Sequence, residues 1–404
     1  MVRYRLEDVT DDMVLGESIF LQSGELLLAA GYHLTERFRI RLSQLGFHSV
    51  MINIPGTDEV VPETIISEHV QRELASSMKR TNDDLKKIFT IRQEGSRSIR
   101  TMIRKNRGYL AKFLQSSGLI NSVEKMIDEI LNSQAIVLNM QAMRSASNDL
   151  FEHAIRVTVT SMAIARKYHF AYDEMKQLAI GSMNYDLGLI TIPPEILNKK
   201  EALTEDEQKV FQQHTVHGYL MLKQNPAIAA TSAAIAIQHH EHQDGTGYPR
   251  QIRGANLTPQ KDFSRKGLIH RFSEIVAVAD AYDVLITDRE GTQPLSNRDA
   301  LRKLLEHSGN HLNSDIVRTL MDIVPLYPVG ARFRVDNAPT PQLVGYYGVV
   351  ARVDERDMEN PEIILYETKN HQKIKPILII ALCFGIISII SFWSDSLKLT
   401  FALI

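Results

Sequence analysis

The chain has 404 residues, 44% of them hydrophobic and 23% charged. This ordinary globular composition excludes collagen-like, disordered and disulfide-scaffold architectures, and the length exceeds what one compact domain usually holds. With 46 basic against 48 acidic residues the net charge is −2, which gives no whole-chain case for nucleic-acid binding. The single cysteine, Cys383, rules out an intramolecular disulfide and a Cys-ligated zinc site, so any metal must be held by His and carboxylate.

Residues 1–56 read as a small α/β module. The opening MVRYRLEDVTDD carries acids early and has no apolar stretch, so no secretory signal is expected. SGELLLAAG reads as a strand between Gly24 and Gly31. Thr35 can cap a helix running to Leu45, with Gly46 at its C′ position. HSVMINI then reads as a strand ended by Pro55-Gly56. Residues 57–139 form a charge-rich helical linker. Val70, Leu74, Met78, Leu85 and Ile88 share one helical stripe, which can pack on the next domain or on a second copy as a homodimer.

Residues 140–324 hold most of the histidines and read as helical throughout. Pro193-Pro194 breaks one helix, and Thr204-Glu205-Asp206-Glu207 is a capping-box signature that starts the next. Residues 325–372 change character: Gly330, Gly345 and Gly348 separate short β-rich runs, a small β appendage. From Pro376 to Ser394 no residue is charged, and the run is long enough for a transmembrane helix. Phe392 and Trp393 suit an interface, and Lys369, Lys373 and Lys375 just before the run would leave the preceding chain cytoplasmic and anchored at its C-terminus.

The helices of the middle region place ionisable residues where a core wants apolar ones. Asp149 and His153 are four apart and share a face, and His153 lies on a stripe with Val157 and Ile164. Asp186 follows an apolar helix and precedes Gly188. His214 shares a stripe with Phe211, Gly218 and Met221. His239 and His240 end an Ala/Ile-rich helix, and Asp280 sits inside IVAVADAYDVLI. A buried carboxylate in such a run needs a cation, a metal or a dense set of donors. Arg271 is one candidate partner for Asp280, while His217 and His242 near the cluster are expected to be solvated. Taken singly, each His fits a satisfied core histidine; five helices each offering an inward His or Asp point instead to a shared metal site. Imidazole with carboxylate suits Fe, Mn or Zn, and one bridging carboxylate can hold two ions close together. In HHEHQDGTGYP, residues 239–249, Gly245 and Gly247 permit a tight loop near a ligand, Pro249 fixes its exit, and Tyr248 presents a ring and hydroxyl.

This segment, in its order relative to His153, Asp186, His214 and Asp280, resembles the HD-GYP family, bacterial metal-dependent phosphodiesterases of cyclic di-GMP within the HD superfamily. The resemblance covers about residues 140–325 and implies a mainly α, HD-type helical bundle. It implies His153, Asp186 and Asp280 as ligands of a first metal, with Asp186 bridging and catalytic. It implies His214, His239 and His240 as ligands of a second metal, and Arg289, Tyr248 and Gly247 as substrate contacts.

The chain departs from the family pattern at four places. Tyr185 stands where the family has the His of His-Asp, Leu189 and Thr292 where it has Lys, and Asp149 where it has a Glu ligand for a third metal. Tyr185 and Asp149 are therefore secondary metal candidates; Tyr185 can ligate as tyrosinate or fill space and donate a hydrogen bond. The resemblance implies one or two divalent ions, Fe or Mn, and cyclic di-GMP as ligand, with activity weakened by loss of the His. The alternative is an inactive signalling module that binds nucleotide, metal or a partner protein.

Overall fold

The computed structural model describes residues 2–20, 26–45, 47, 49–62, 64–89, 96–133, 138, 140, 150–260, 267–287, 294–338, 340–380 and 387–389. The chain divides into two compact units: residues 1–62, 292–296 and 326–404 form one, and residues 63–291 and 297–325 form the other.

The first unit is β-rich. Strands β1 (Val2–Arg5), β2 (Val14–Leu15), β3 (Ile19–Phe20), β4 (Leu26–Leu28) and β5 (Ser49–Asn53) accompany the helix α1 (Glu36–Gln44). β1, β5 and β2 form an antiparallel sheet in that order, and β3 pairs β4. From the second half of the chain come β6 (Arg332–Val335), β7 (Tyr347–Asp354), β8 (Asp357–Glu367), β9 (Lys373–Ile380) and β10 (Ile387–Ile389), in the sheet order β10-β6-β7-β8-β9.

The near-continuous apolar run of β8 has a simple cause. Successive side chains of a strand face opposite ways. Ile364 and Tyr366 join Val2, Tyr4, Leu34, Val50 and Ile52 in one core, while Ile363 and Leu365 join Phe333, Val335 and Val350 in another. The N-terminal module and the C-terminal β segment thus share a core.

The apolar C-terminal run is not a membrane helix where the structure describes it. Residues 376–380 belong to β9, which pairs with β8 in the register Leu365↔Ile377, Ile364↔Leu378 and Glu362↔Ile380, and residues 387–389 form β10 on β6. Isoleucine-rich sequence satisfies a strand as well as a membrane helix, and sheet pairing supplies the backbone partners. Among the described residues no helix is long and apolar enough to cross a membrane. Phe392, Trp393 and Ser394 lie outside the described residues.

The second unit is helical. It comprises α2 (Glu68–Phe89), α3 (Ser96–Lys105), α4 (Arg107–Leu110), α5 (Phe113–Ser117), α6 (Leu119–Asn132), α7 (Leu150–Lys167), α8 (Tyr172–Met183), α9 (Pro194–Leu197), α10 (Glu205–Leu222), α11 (Ala230–Gln238), α12 (Arg271–Ile286), α13 (Asn297–Glu306) and α14 (Ser314–Met321). Val70, Leu74, Met78 and Leu85 of α2 are buried, and α2 packs against α5, α6 and α7 of the same chain. The stripe is consumed within this unit, which removes the reason to expect a homodimer through it. α7 packs on α8 and α12, and α11 on α8, α10 and α12, so five helices converge around the predicted site.

The Thr204 box starts α10. The Thr204 hydroxyl accepts from the Glu207 N–H at 3.3 Å, and the Glu207 carboxylate accepts from the Thr204 N–H at 2.8 Å. Thr204→Ala should lower unfolding stability by about 1 kcal/mol in urea titration, because it strips a partner from the first turn; an unchanged midpoint would contradict the cap.

Candidate metal centre

The turn after α8 brings the first carboxylate in. Asn184 ends the helix, Tyr185 and Asp186 follow, and residues 187–191 form a 3-10 turn against α10. Gly188 makes that approach feasible: a Cβ there would lie 1.9 Å from the His214 carbonyl oxygen. Asp186 consequently faces two imidazoles, with Oδ1 3.6 Å from His214 Nε2 and 3.4 Å from His239 Nε2.

Both rings are aimed by their other nitrogen. His214 Nδ1–H donates to the Phe211 carbonyl at 2.7 Å, and His239 Nδ1–H donates to the Ile235 carbonyl at 3.1 Å. A carbonyl only accepts, so the donation fixes the tautomer and leaves both Nε2 atoms, 3.5 Å apart, as lone-pair donors. Burial pushes the His214 imidazole down to about 4 and His240 well below its usual range, so both are neutral near pH 7. Burial opposes ionisation of Asp186, but the neighbouring His239, His214 and His153 outweigh it and hold its pKa well below the carboxylate range. His214, His239 and His240 bring ligand atoms within 4.8 Å of one another and could hold a metal ion. Neutral imidazoles beside an ionised carboxylate are the donor chemistry such an ion requires.

The loop after α11 closes over this cluster. Glu241 accepts from the backbone N–H groups of Arg250 at 2.7 Å and Ile252 at 2.9 Å, and Gln243 accepts from the Asn256 N–H at 2.8 Å. The Asp244 carboxylate accepts from the Thr246 N–H at 2.9 Å, and Gly245 turns the chain at φ +81°. Gly247 is buried, and a Cβ there would lie 2.3 Å from the His240 carbonyl oxygen. Tyr248 stacks on His240, ring centroids 4.6 Å apart at 22°, and its buried hydroxyl has no hydrogen-bond partner.

The second half of the cluster is arranged differently. His153 Nδ1 lies 2.7 Å from Asp283 Oδ2, and Arg156 donates to the same carboxylate at 2.7 and 3.0 Å. His153 Nε2 lies 3.0 Å from Asp280 Oδ1 and 2.7 Å from the Tyr185 hydroxyl, which donates to Asp280 at 2.9 Å. Burial alone would lower the His153 pKa, but hydrogen bonds and charge from Asp280 and Asp283 outweigh it and raise it to about 9. Burial, then the charges of Asp186 and Asp280, push the Tyr185 phenol well above its usual value.

The structure therefore brings His153, Tyr185, Asp186, His214, His239, His240, Tyr248 and Asp280 into one region. Asp149, Arg289 and Thr292 lie outside the described residues. Arg271 pairs with Glu174 rather than with Asp280. His217 is buried at 2% exposure, not solvated: the Gly188 turn covers it, and its Nδ1 lies 2.9 Å from the Thr191 hydroxyl. His242 is half-buried and stacks on His311 at 4.2 Å. Sequence reasoning missed Asp283, Arg156 and Glu241. Asp283 and Arg156 each lie three residues beyond an expected ligand on the same helix, a spacing that put them on the site's face and was the available signal.

Residues 131–316 match the family model described as HD domain. A cyclic di-GMP phosphodiesterase of Pseudomonas aeruginosa is 25% identical over 60% of this chain and 54% of its own length. A cyclic di-GMP phosphodiesterase of Thermotoga maritima is 30% identical over 48% of each chain. A 3'3'-cGAMP-specific phosphodiesterase of Vibrio cholerae is 26% identical over 54% of this chain and 40% of its own. The matched region spans about half the length of these relatives or less.

Arg156 compensates a carboxylate with no exposed side-chain surface. Removing one partner of such a pair leaves a buried charge and costs about 3–5 kcal/mol. Arg156→Met should lose that much stability in urea unfolding, and adding Asp283→Asn should recover part of it; a loss under about 1 kcal/mol would show the pair to be dispensable. Against that background, an HD domain over residues 131–316, a buried histidine cluster and relatives named as cyclic dinucleotide phosphodiesterases together establish the resemblance of this chain to the HD-GYP family.

Proposed function

We propose that the chain is a metal-dependent phosphodiesterase of HD-GYP type that opens cyclic di-GMP, with activity weakened at the Tyr185 position. The observation that carries this reading is the convergence of His214, His239 and His240 beside Asp186, beneath the 239–249 loop. These four residues would hold a divalent ion, Fe or Mn being the proposed identity. Such an ion, when bound, supplies an activated hydroxide and positive charge for the developing phosphoryl oxyanion.

The chain's own residues do the rest of the work. The Phe211 and Ile235 carbonyls keep the two imidazoles aimed. The backbone clamp by Glu241 holds the loop over the cluster. A buried hydroxyl without a partner costs about 1–3 kcal/mol, a penalty relieved when a ligand oxygen reaches the Tyr248 hydroxyl. Gly247 would let the loop backbone approach a substrate, and Arg289 is the residue proposed to contact a phosphate, a role its planar guanidinium suits.

Weakening follows from Leu189 and Thr292, which lack the charge of the Lys expected there, and from Tyr185. Loss of one preorganised contact lowers kcat by about 10²–10³. The alternative, a non-catalytic module that binds nucleotide, metal or a partner protein, is favoured by one observation: the Tyr185 hydroxyl bonded to both His153 and Asp280.

The test is hydrolysis of cyclic di-GMP and of 3'3'-cGAMP by the full chain, reconstituted anaerobically with Fe(II) or Mn(II) and followed by chromatography. Turnover of cyclic di-GMP should be slow, metal-dependent and abolished in Asp186→Ala. Faster turnover of 3'3'-cGAMP would reassign the substrate. A folded, metal-loaded protein that opens neither nucleotide would leave the non-catalytic module standing.

A further inference from the structure

On the His214 side the ligand atoms of His214, His239 and His240 gather within 4.8 Å of one another, whereas the donors on the His153 side are already bonded to one another. We propose that this chain binds one metal ion rather than two, and that the Tyr185 hydroxyl closes the first-metal position with a hydrogen-bonded cluster. The inference rests on the metal-dependent reading above and specifies its stoichiometry.

Three observations carry it. The first is how the expected ligands gather. Asp186 Oδ1 sits within 3.4 and 3.6 Å of His239 and His214. Among the described residues, His214, His239 and His240 are the group of His, Cys, Asp or Glu whose ligand atoms gather within 4.8 Å; His153, Asp186 and Asp280 do not gather so. Among the described residues no group of three such ligand atoms forms around His153 and Asp280, and two protein ligands are fewer than stable sites use.

The second is the state of those two residues. Tyr185 O, His153 Nε2 and Asp280 Oδ1 form a closed triangle with sides of 2.7, 2.9 and 3.0 Å. The phenol O–H is donated to Asp280, and a phenol must give up that proton to become a strong ligand. Tyr185 is 1% exposed, so the phenol is enclosed with these two partners. A buried phenol can be satisfied by hydrogen bonds alone, and here it is.

The third is the support behind His153. Asp283 holds Nδ1 at 2.7 Å, and Arg156 holds Asp283 through two bonds. The imidazole is fixed in place by the protein itself, so the cluster stands without an ion. Arg156 also places a cation one side chain away from the first-metal position and compensates Asp283 there.

The experiment counts metal directly. The full chain and two variants, Tyr185→His and Tyr185→Phe, are reconstituted anaerobically with Mn(II), desalted and assayed by inductively coupled plasma mass spectrometry and electron paramagnetic resonance. The parent should hold one Mn per chain with the six-line signal of an isolated ion. Tyr185→His should hold two, with an exchange-coupled signal, because it restores a third ligand beside His153 and Asp280. Tyr185→Phe, which adds no ligand, should remain at one.

Two ions in the parent would overturn the inference and leave the metal-dependent reading intact. None in folded parent protein would overturn both. One ion in both the parent and a folded Tyr185→His would show that Tyr185 is not what closes the position. His214→Ala serves as the location control: it should empty the parent, and retention of the ion would place it elsewhere and refute the assignment.

Discussion

A carboxylate with no exposed surface must be compensated within hydrogen-bond distance, and Asp283 is compensated twice, by Arg156 and by His153. That arrangement joins α7 to α12 across the middle of the helical unit and fixes the ring plane of His153. Asp280, one turn earlier on α12, is then set beside the other nitrogen of the same ring. The Tyr185 hydroxyl completes the set from the end of α8. Three helices are thus held by polar contacts at a point where an apolar core would be slack in register.

The opposite side of the site depends on close backbone approach instead. Gly188 lets the turn after α8 reach α10, and Gly247 lets the loop after α11 fold back on residues 240–242. Neither contact survives a Cβ without movement of backbone. These approaches bring Asp186 to His214 and His239 and lay Tyr248 on His240. The site therefore has one face built from charge compensation and one built from glycine packing, with Asp186 on the second. That asymmetry is what separates the two expected metal positions chemically.

Much of the site was legible in the sequence because its signals are local. The capping box at Thr204, the His pair ending α11 and the Gly-Tyr-Pro turn each lie within a few residues, and each is present as a local structure. The polar residue in the apolar run of α12 flagged a partner, but the first candidate for that partner, Arg271, sits on the outer end of the helix against Glu174. The real partners, Tyr185 and His153, come from helices far away in sequence, and no periodicity reveals which of several inward residues will meet. His217 misled for a related reason: the 187–191 turn, which approaches α10 where residue 188 lacks a side chain, brings the Thr191 hydroxyl to its ring.

The C-terminal run shows the limit of hydropathy more sharply. An uncharged Ile-rich stretch of this length satisfies a bilayer helix and a sheet strand equally by composition. What decides between them is whether a partner edge is available, and β8 offers one: its own apolar residues alternate between two cores, and its free edge takes β9 in antiparallel register. The same logic governs Tyr185. By residue type it is either ligand or filler, and the choice is made by what already surrounds it: an acceptor at Asp280 and an imidazole at His153. A position in a family pattern assigns a side chain its location; the neighbours assign its chemistry.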